Sequence, residues 1–380
     1  MKYQNYKTVV FTGGGTGGHV FPGIAVAEKL LLDKDKTSFN VAWIGSNSGM
    51  EREILNRYNI SFHSIPAGKF RRYFSIKNFI DIFKIIAGFI VSIFLLKKLK
   101  ADILFSKGGF VTVPPVIAAK LLKIPVISHE SDLDPGLATR INGRFSKKIL
   151  FAYKETLEHW ENKKTNQTLL VTGNPVRSEI MSVEILRSKE KIRKQYNISD
   201  DRKIILVLGG SQGALEINNM IKEIIYDLTK NYFIIHQMGE FSYKKSEINN
   251  YITTALFHEE FPEILAAADI VVSRAGAGTL WENGILGKPS ILIPLGFGSS
   301  RGDQVRNANF FGKNSAAIVL KDDDTGALNL LLEIDNLLNN KKKLNKLEEN
   351  VKLLCNRNSA DQIVNIIYKE IGYINEYSSI

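Results

Sequence analysis

Thr8-Val9-Val10-Phe11-Thr12-Gly13-Gly14-Gly15-Thr16-Gly17-Gly18-His19 is a β-prone apolar run that ends in a glycine cluster and opens into a helical pattern reaching about Leu32. A strand that feeds a glycine loop and then a helix is the first half of a βαβ unit. Short apolar runs follow at the spacing of such units, at residues 41–44, 102–105, 125–128 and 148–151. The opening then returns: the run 203–208 leads into Gly209-Gly210-Ser211-Gln212-Gly213 and a helix to about Leu228, with further strands at 232–236, 252–256, 270–273 and 290–294. Residues 182–202 are charge-rich and helical, and from Ala327 onward the pattern is helical throughout. Ser359 is placed to cap the last helix, to about Ile371. Gly173-Asn174-Pro175 is a turn-forming cluster and marks the boundary between two halves. The expected fold is α/β, with two Rossmann-like, doubly wound domains facing each other across a cleft.

The glycine loop at 13–19 lets backbone amides approach an anionic oxygen, and the helix start adds partial positive charge. It fits the dinucleotide pattern G-x-G-x-x-G, but the second strand ends Trp43-Ile44-Gly45-Ser46, without the acid that would read a ribose. A Walker loop is excluded as well, because His19 and Val20 stand where Lys and Ser/Thr belong. His19, at a helix start, is placed to take a proton from a hydroxyl. In the second half, Ser211 adds a hydroxyl to the same anion-binding logic. Ser273-Arg274-Ala275-Gly276-Ala277-Gly278-Thr279 leads into a helix carrying Glu282, whose carboxylate can accept both hydroxyls of a ribose. Asp303 and Gln304, after the Pro294-Leu295-Gly296 loop, are placed for the hydroxyls of a sugar. In this order the segments spell a nucleotide-sugar site.

Charge is uneven. Residues 1–170 carry 25 Lys/Arg against 13 Asp/Glu, and residues 171–380 carry 25 against 26. A basic half points to a polyanionic partner, either nucleic acid or an anionic membrane. No zinc-finger, homeodomain or RNA-recognition signature is present, so nucleic acid is not expected. Residues 69–100 hold eight basic side chains (Lys69, Arg71, Arg72, Lys77, Lys84, Lys97, Lys98, Lys100) against Asp81. Within them Lys77, Asp81, Lys84, Gly88 and Ser92 form one narrow helical stripe. Almost all the rest of the circumference is apolar, including Phe79, Ile82, Phe83, Ile86, Ile90 and Phe94. Such an arc is wider than the roughly 100° that faces a core. The charge-free run 85–96 is shorter than the ~20 residues a span needs. The expectation is an interfacial patch on anionic lipid, with a deeply buried core helix as the alternative.

Residues 9–11 are too short for a signal-peptide core, and Cys355 is the only cysteine. Both favour a protein kept in a reducing cytosol. The histidines show no zinc spacing. Asp132-Leu133-Asp134 spells D-x-D, a pattern that can hold a metal elsewhere, and is read as chance.

The segments 12–19, Ser106-Lys107-Gly108-Gly109-Phe110, His129-Glu130, 173–177, 209–214, 273–277 with Glu282, and 303–308 together resemble the bacterial N-acetylglucosaminyltransferases that convert lipid I to lipid II in peptidoglycan synthesis, the MurG family. That resemblance implies a GT-B glycosyltransferase with an acceptor- and membrane-binding domain at 1–174 and a UDP-sugar domain at 175–358. A C-terminal helical segment, 359–380, would pack back on the first domain. It implies inverting transfer from UDP-N-acetylglucosamine to a lipid-linked acceptor at the cytoplasmic face of the plasma membrane. No obligatory cofactor or metal is expected, a divalent cation acting at most as a stimulant. His19 is the expected base, with Glu130 as an alternative or orienting group. Thr16, Gly17, Gly18 and Arg177 would border the site, Ser211 and Gln212 would meet the diphosphate, Glu282 the ribose, and Gln304 and Asp303 the sugar. The loop at 13–19 would face the acceptor diphosphate. Many members read His-Glu-Gln-Asn where this chain has His129-Glu130-Ser131-Asp132, so an acid replaces a sugar-contacting asparagine. Two other readings remain open: a same-fold transferase acting on another lipid such as diacylglycerol, and a non-catalytic sugar-nucleotide-binding membrane subunit.

Overall fold

The computed structural model describes residues 7–32, 39–47, 51–68, 76–161, 166–199, 201–209, 213–296, 302–321 and 324–373, with only the backbone at 76–80, 159 and 161. Chain contacts divide it into two compact units, one of residues 1–177 with 357–380 and the other of residues 178–356. The division falls after Arg177 rather than after Asn174, because the turn at Gly173-Asn174 is itself buried in the first unit.

The first unit runs β1 (Lys7–Thr12), α1 (Gly17–Leu32), β2 (Phe39–Ser46), α2 (Glu51–Asn56), β3 (Ser61–Ile65), α3 (Ile76–Lys98) and β4 (Ile103–Ser106). A 3-10 turn (Phe110–Thr112), α4 (Val113–Leu121), β5 (Val126–Glu130), α5 (Leu137–Gly143), β6 (Lys148–Phe151), α6 (Lys154–Glu161) and β7 (Thr168–Val171) complete its first segment. The strands form a parallel sheet in the order β3-β2-β1-β4-β5-β6-β7. Central strands buried on both faces read as continuous apolar runs, which is why β1 and β4 stand out in the sequence.

The second unit comprises α7 (Ser178–Met181), α8 (Ile185–Tyr196), β8 (Lys203–Leu208), α9 (Leu215–Asn231), β9 (Tyr232–Gln237), β10 (Tyr251–Thr254), α10 (Phe261–Ala267), β11 (Ile270–Ser273), α11 (Ala277–Ile285), β12 (Ser290–Leu292), α12 (Asp303–Lys313), β13 (Ile318–Val319), α13 (Ala327–Leu338) and α14 (Lys341–Leu354). Its sheet is also parallel, ordered β10-β9-β8-β11-β12-β13.

The last helix, α15 (Ser359–Glu370), returns to the first unit. Ile363, Val364, Ile367 and Tyr368 fall on one stripe and are buried in the core that holds Val9, Ile24 and Ile103. Four such side chains, each contributing ~1.5–3 kcal/mol by burial, hold the return. Lys29 pairs with Asp361 at 2.9 Å, and Glu370 takes Lys147 and, at 3.4 Å, Lys148. Asn358, not Ser359, is the cap position of this helix; Ser359 is its first residue and is buried.

Helix α3 is inside out. Asp81, Gly88, Ser92 and Leu96 face the domain, while Ile82, Phe83, Ile86, Ile90 and Phe94 lie exposed, Phe83 at 70% and Phe94 at 67%. The small residues explain the orientation. A Cβ on Gly88 would sit 2.2 Å from the Pro66 carbonyl oxygen, so this face approaches backbone more closely than any larger residue allows. Ser92 satisfies itself by donating to the Gly88 carbonyl at 2.6 Å. The buried-core alternative for this helix does not hold on its apolar side. Among the described residues, no helix is long and apolar enough to cross a membrane.

Candidate active site

In an open parallel sheet, ligands bind outside the carboxyl ends of the strands where the strand order reverses. In the first unit that point lies between β1 and β4, so its rim is built from the residues after β1, after β4 and after the neighbouring β5. In the second unit it lies between β8 and β11. The motifs at residues 13–19, 106–110, 129–130 and 273–282 fall on these two rims or on the helices that leave them.

The loop after β1 is held from below. The indole of Trp43, fully buried and stacked on Phe11 at 5.8 Å, donates to the Gly13 carbonyl at 3.0 Å. Glu51, also fully buried, accepts the Gly15 amide at 2.8 Å. Its carboxylate lies so close under Gly14 that a Cβ there would be 1.9 Å from Oε1. One amide of the expected anion loop is therefore already engaged by an acid of the protein itself. The loop after β4 locks against it: at Gly109, φ is +88° and a Cβ would meet the Gly14 carbonyl oxygen at 2.2 Å, so only glycine fits. His19, half-buried in the first turn of α1, has its ring beside this second loop; a Cβ on Gly109 would come within 3.2 Å of its Cδ2. Thr16 and Gly18 are exposed and Gly17 is half-buried at the rim. Arg177 stacks its guanidinium over the Phe21 ring at 4.3 Å, which brings it to the same end of α1. The structure thus gathers His19, Thr16, Gly17, Gly18 and Arg177.

Glu130 ends β5, and its carboxylate accepts three backbone amides: Ser131 at 2.8 Å and Asp132 at 3.1 Å on Oε1, Gly136 at 3.0 Å on Oε2. Buried and so engaged, it shapes the 131–136 loop. Of the two roles expected for it, this geometry serves the orienting one. His129 bonds the Gly173 carbonyl through Nε2 at 2.9 Å. A carbonyl only accepts, so Nε2 carries the hydrogen and donates it. Burial, reinforced by Lys107, holds its pKa well below the ordinary value.

Lys107 was not singled out from the sequence. It follows β4, is 1% exposed, and donates to the Ser131 hydroxyl, which donates in turn to Asn174 Oδ1 at 2.7 Å. Burial pushes its pKa down to about 8, against the pull of Glu130 and Asp132. Glu51 was missed too. A charged residue beside a glycine pair, as in Ser106-Lys107-Gly108-Gly109, was the signal available for Lys107; for Glu51 there was none.

In the second unit Ser211 and Gln212 lie outside the described residues. The described part of this rim is cross-braced. Arg274, after β11, pairs with Glu216 in the first turn of α9 at 2.7 Å and donates to the Ile293 carbonyl at 3.0 Å. Gln304 accepts the Leu295 amide at 3.0 Å through Oε1, tying α12 to the loop after β12. Asn307 donates to the Ala275 carbonyl at 3.2 Å. These bonds set the starts of α9, α11 and α12 around one edge. Glu282, half-buried, stands on α11, and Asp303 and Gln304 open α12. Among the described residues no group of three or more His, Cys, Asp or Glu is arranged to hold a metal ion.

Residues 9–151 match the glycosyltransferase family 28 N-terminal domain, and residues 204–363 match the glycosyltransferase family 28 C-terminal domain. The UDP-N-acetylglucosamine--N-acetylmuramyl-(pentapeptide) pyrophosphoryl-undecaprenol N-acetylglucosamine transferase of Treponema denticola is 47% identical over 339 residues, covering 84% of this chain and 85% of that protein. The transferase of the same name from Borreliella burgdorferi is 41% identical over 370 residues, 97% of this chain and 98% of that one. The crystal structure of Acinetobacter baumannii MurG superposes with a TM-score of 0.70 at 26% identity, covering 96% of this chain and 99% of its own. Two glycosyltransferase rims on two parallel sheets, and relatives of this kind over nearly the whole length, show that the chain belongs to glycosyltransferase family 28, within the MurG family of N-acetylglucosaminyltransferases.

Proposed function

We propose that the chain transfers N-acetylglucosamine from UDP-N-acetylglucosamine to undecaprenyl-pyrophosphoryl-N-acetylmuramoyl-pentapeptide, lipid I, giving lipid II. The observation that carries this reading is the 47% identity, over 84% of the chain, to a transferase named for that reaction, in a chain with two parallel sheets that each reverse strand order at a switch point. The acceptor's sugar hydroxyl attacks the anomeric carbon in line, the sugar–phosphate bond breaks, and UDP leaves with inversion. His19 takes the hydroxyl proton, and Glu130 orients the neighbouring loop. Ser211 and Gln212 hold the diphosphate, Glu282 the ribose, and Gln304 with Asp303 the sugar, while Arg177 and the 16–18 turn border the acceptor. Loop amides and helix starts stabilise the charge that develops on the leaving UDP, so no metal is obligatory and a divalent cation at most stimulates.

The exposed apolar face of α3, with basic residues at its C-terminal end, seats the first unit on anionic lipid at the cytoplasmic face of the plasma membrane. No nucleic-acid partner is involved. UDP release from UDP-N-acetylglucosamine, measured with and without purified lipid I, tests the reading. Release that requires lipid I supports it; acceptor-independent release, or binding without release, contradicts it.

A further inference from the structure

Ser106 and Thr112 bound the loop that follows β4, and one side chain holds both ends of it. Asn142, fully buried on α5, donates through Nδ2 to Ser106 Oγ at 3.2 Å and to Thr112 Oγ1 at 2.6 Å. Thr112 passes the restraint on, because its hydroxyl donates to the Gly109 carbonyl at 2.8 Å. A carbonyl only accepts, so the single hydroxyl hydrogen is committed there, and Nδ2 rather than Oδ1 must face Thr112. Asn142 Oδ1 is left buried with no hydrogen-bond partner among the described residues. An apolar side chain would fill the same place without that cost, so the amide contributes through its two donors. Helix α5 is itself tied to the sheet: Ser146 donates to the Asn142 carbonyl at 2.8 Å and pairs with Ser128 of β5 at 2.7 Å.

The stapled loop contains Gly108 and Gly109, at φ +91° and +88°. Consecutive glycines have little conformational preference of their own, so the shape of this turn is set by what grips it. The turn also flanks His19. A Cβ on Gly108 would lie 3.5 Å from the ring's Nδ1, and one on Gly109 would lie 3.2 Å from Cδ2. We infer that Asn142 is a positioning residue for the transfer step, acting through Thr112 and the Gly108-Gly109 turn to hold the His19 ring in its working orientation. This role rests on His19 being the base that takes the acceptor's proton.

Transfer is measured at saturating donor and acceptor for the wild type, N142L, T112V, T112S, H19A and H19A/T112V. N142L and T112V should each lower kcat about tenfold, within the ~10²-fold that a 1 Å misplacement can cost, with the donor KM nearly unchanged. T112S keeps the hydroxyl and should stay near the wild-type rate. In H19A no imidazole remains to be held, so adding T112V should lower the residual rate no further; a purely structural defect would lower it by the same factor as before. Wild-type turnover in T112V, or a full further loss in H19A/T112V, overturns the inference. Should N142L fail to fold, T112V and T112S decide alone. An H19A that loses less than about tenfold removes the base and this role with it, whereas an H19A that loses ~10²-fold beside a fully active T112V removes this role only.

Discussion

Glu51 accepts the Gly15 amide at 2.8 Å, so a buried carboxylate fastens the glycine loop that was expected to bind an acceptor's anion. Its other oxygen, Oε2, has no hydrogen-bond partner among the described residues. The acid therefore acts as an internal strut. Glu51→Ala is expected to cost ~1–3 kcal/mol of stability, the penalty for a buried group left unpaired, and to loosen the loop beside His19. Thermal melts and acceptor kinetics check this together; an unchanged melting temperature with unchanged turnover would show that the bond carries no weight.

His19→Ala is expected to lower turnover by ~10²–10⁴-fold, the range for loss of a general base, while UDP affinity stays near wild type. Steady-state kinetics at saturating substrates decide it. A loss below about tenfold would assign His19 to shaping the contact with Gly109 instead.

Glu282→Ala is expected to weaken UDP binding by ~1.5–3 kcal/mol, the worth of hydrogen bonds to a charged acceptor. Calorimetry on the folded variant measures it, and an unchanged affinity would remove Glu282 from the ribose.

Replacing Phe83 and Phe94 with serine is expected to reduce binding to anionic vesicles and turnover on membrane-embedded acceptor, sparing a short-chain soluble analogue. Because both rings are exposed, the fold should lose no more than about 0.5 kcal/mol. Equal loss on both acceptors with a lowered melting temperature would make α3 a packing element only.

Much of this was legible beforehand, and the physical reason varies by element. The central strands β1, β8 and β11 are buried on both faces, so their apolar runs announce them. β3 (Ser61–Ile65) is an edge strand of mixed polarity, and β13 has two residues, so neither leaves a periodic signal. The exposed arc of α3 was readable because Asp81, Gly88 and Ser92 share one stripe and most of the remaining positions are apolar. Lys107 left only the weak signal of a charge beside a glycine pair and Glu51 left none, since their importance comes from burial against loops distant in sequence. Glu51 in particular looks like an ordinary acid at a helix start.

Acid should unsettle the second unit through His236. Its Nε2 lies 3.0 Å from Asn218 Oδ1 and its Nδ1 2.9 Å from the Tyr251 hydroxyl, a pairing that suits the neutral ring. Burial pushes its pKa from 6.5 down to about 4. The unfolded chain therefore binds a proton in that window that the folded chain does not. The contribution, about 3 kcal/mol for a shift of this size, is complete above pH 6.5 and is lost as pH falls towards 4. Urea unfolding followed from pH 7 to pH 4.5 should show stability declining, with a shallower slope in His236→Gln, which cannot titrate. Parallel slopes would place the acid sensitivity elsewhere.

Transfer of labelled N-acetylglucosamine from UDP to three samples (purified lipid I, diacylglycerol and no acceptor) measures whether the two rims perform the reaction assigned to them. The expected result is label on lipid I alone, its rate lowered ~10²-fold or more by His19→Ala. Label on diacylglycerol in place of lipid I, or no lipid-bound label from a folded protein that binds UDP-N-acetylglucosamine, would contradict it.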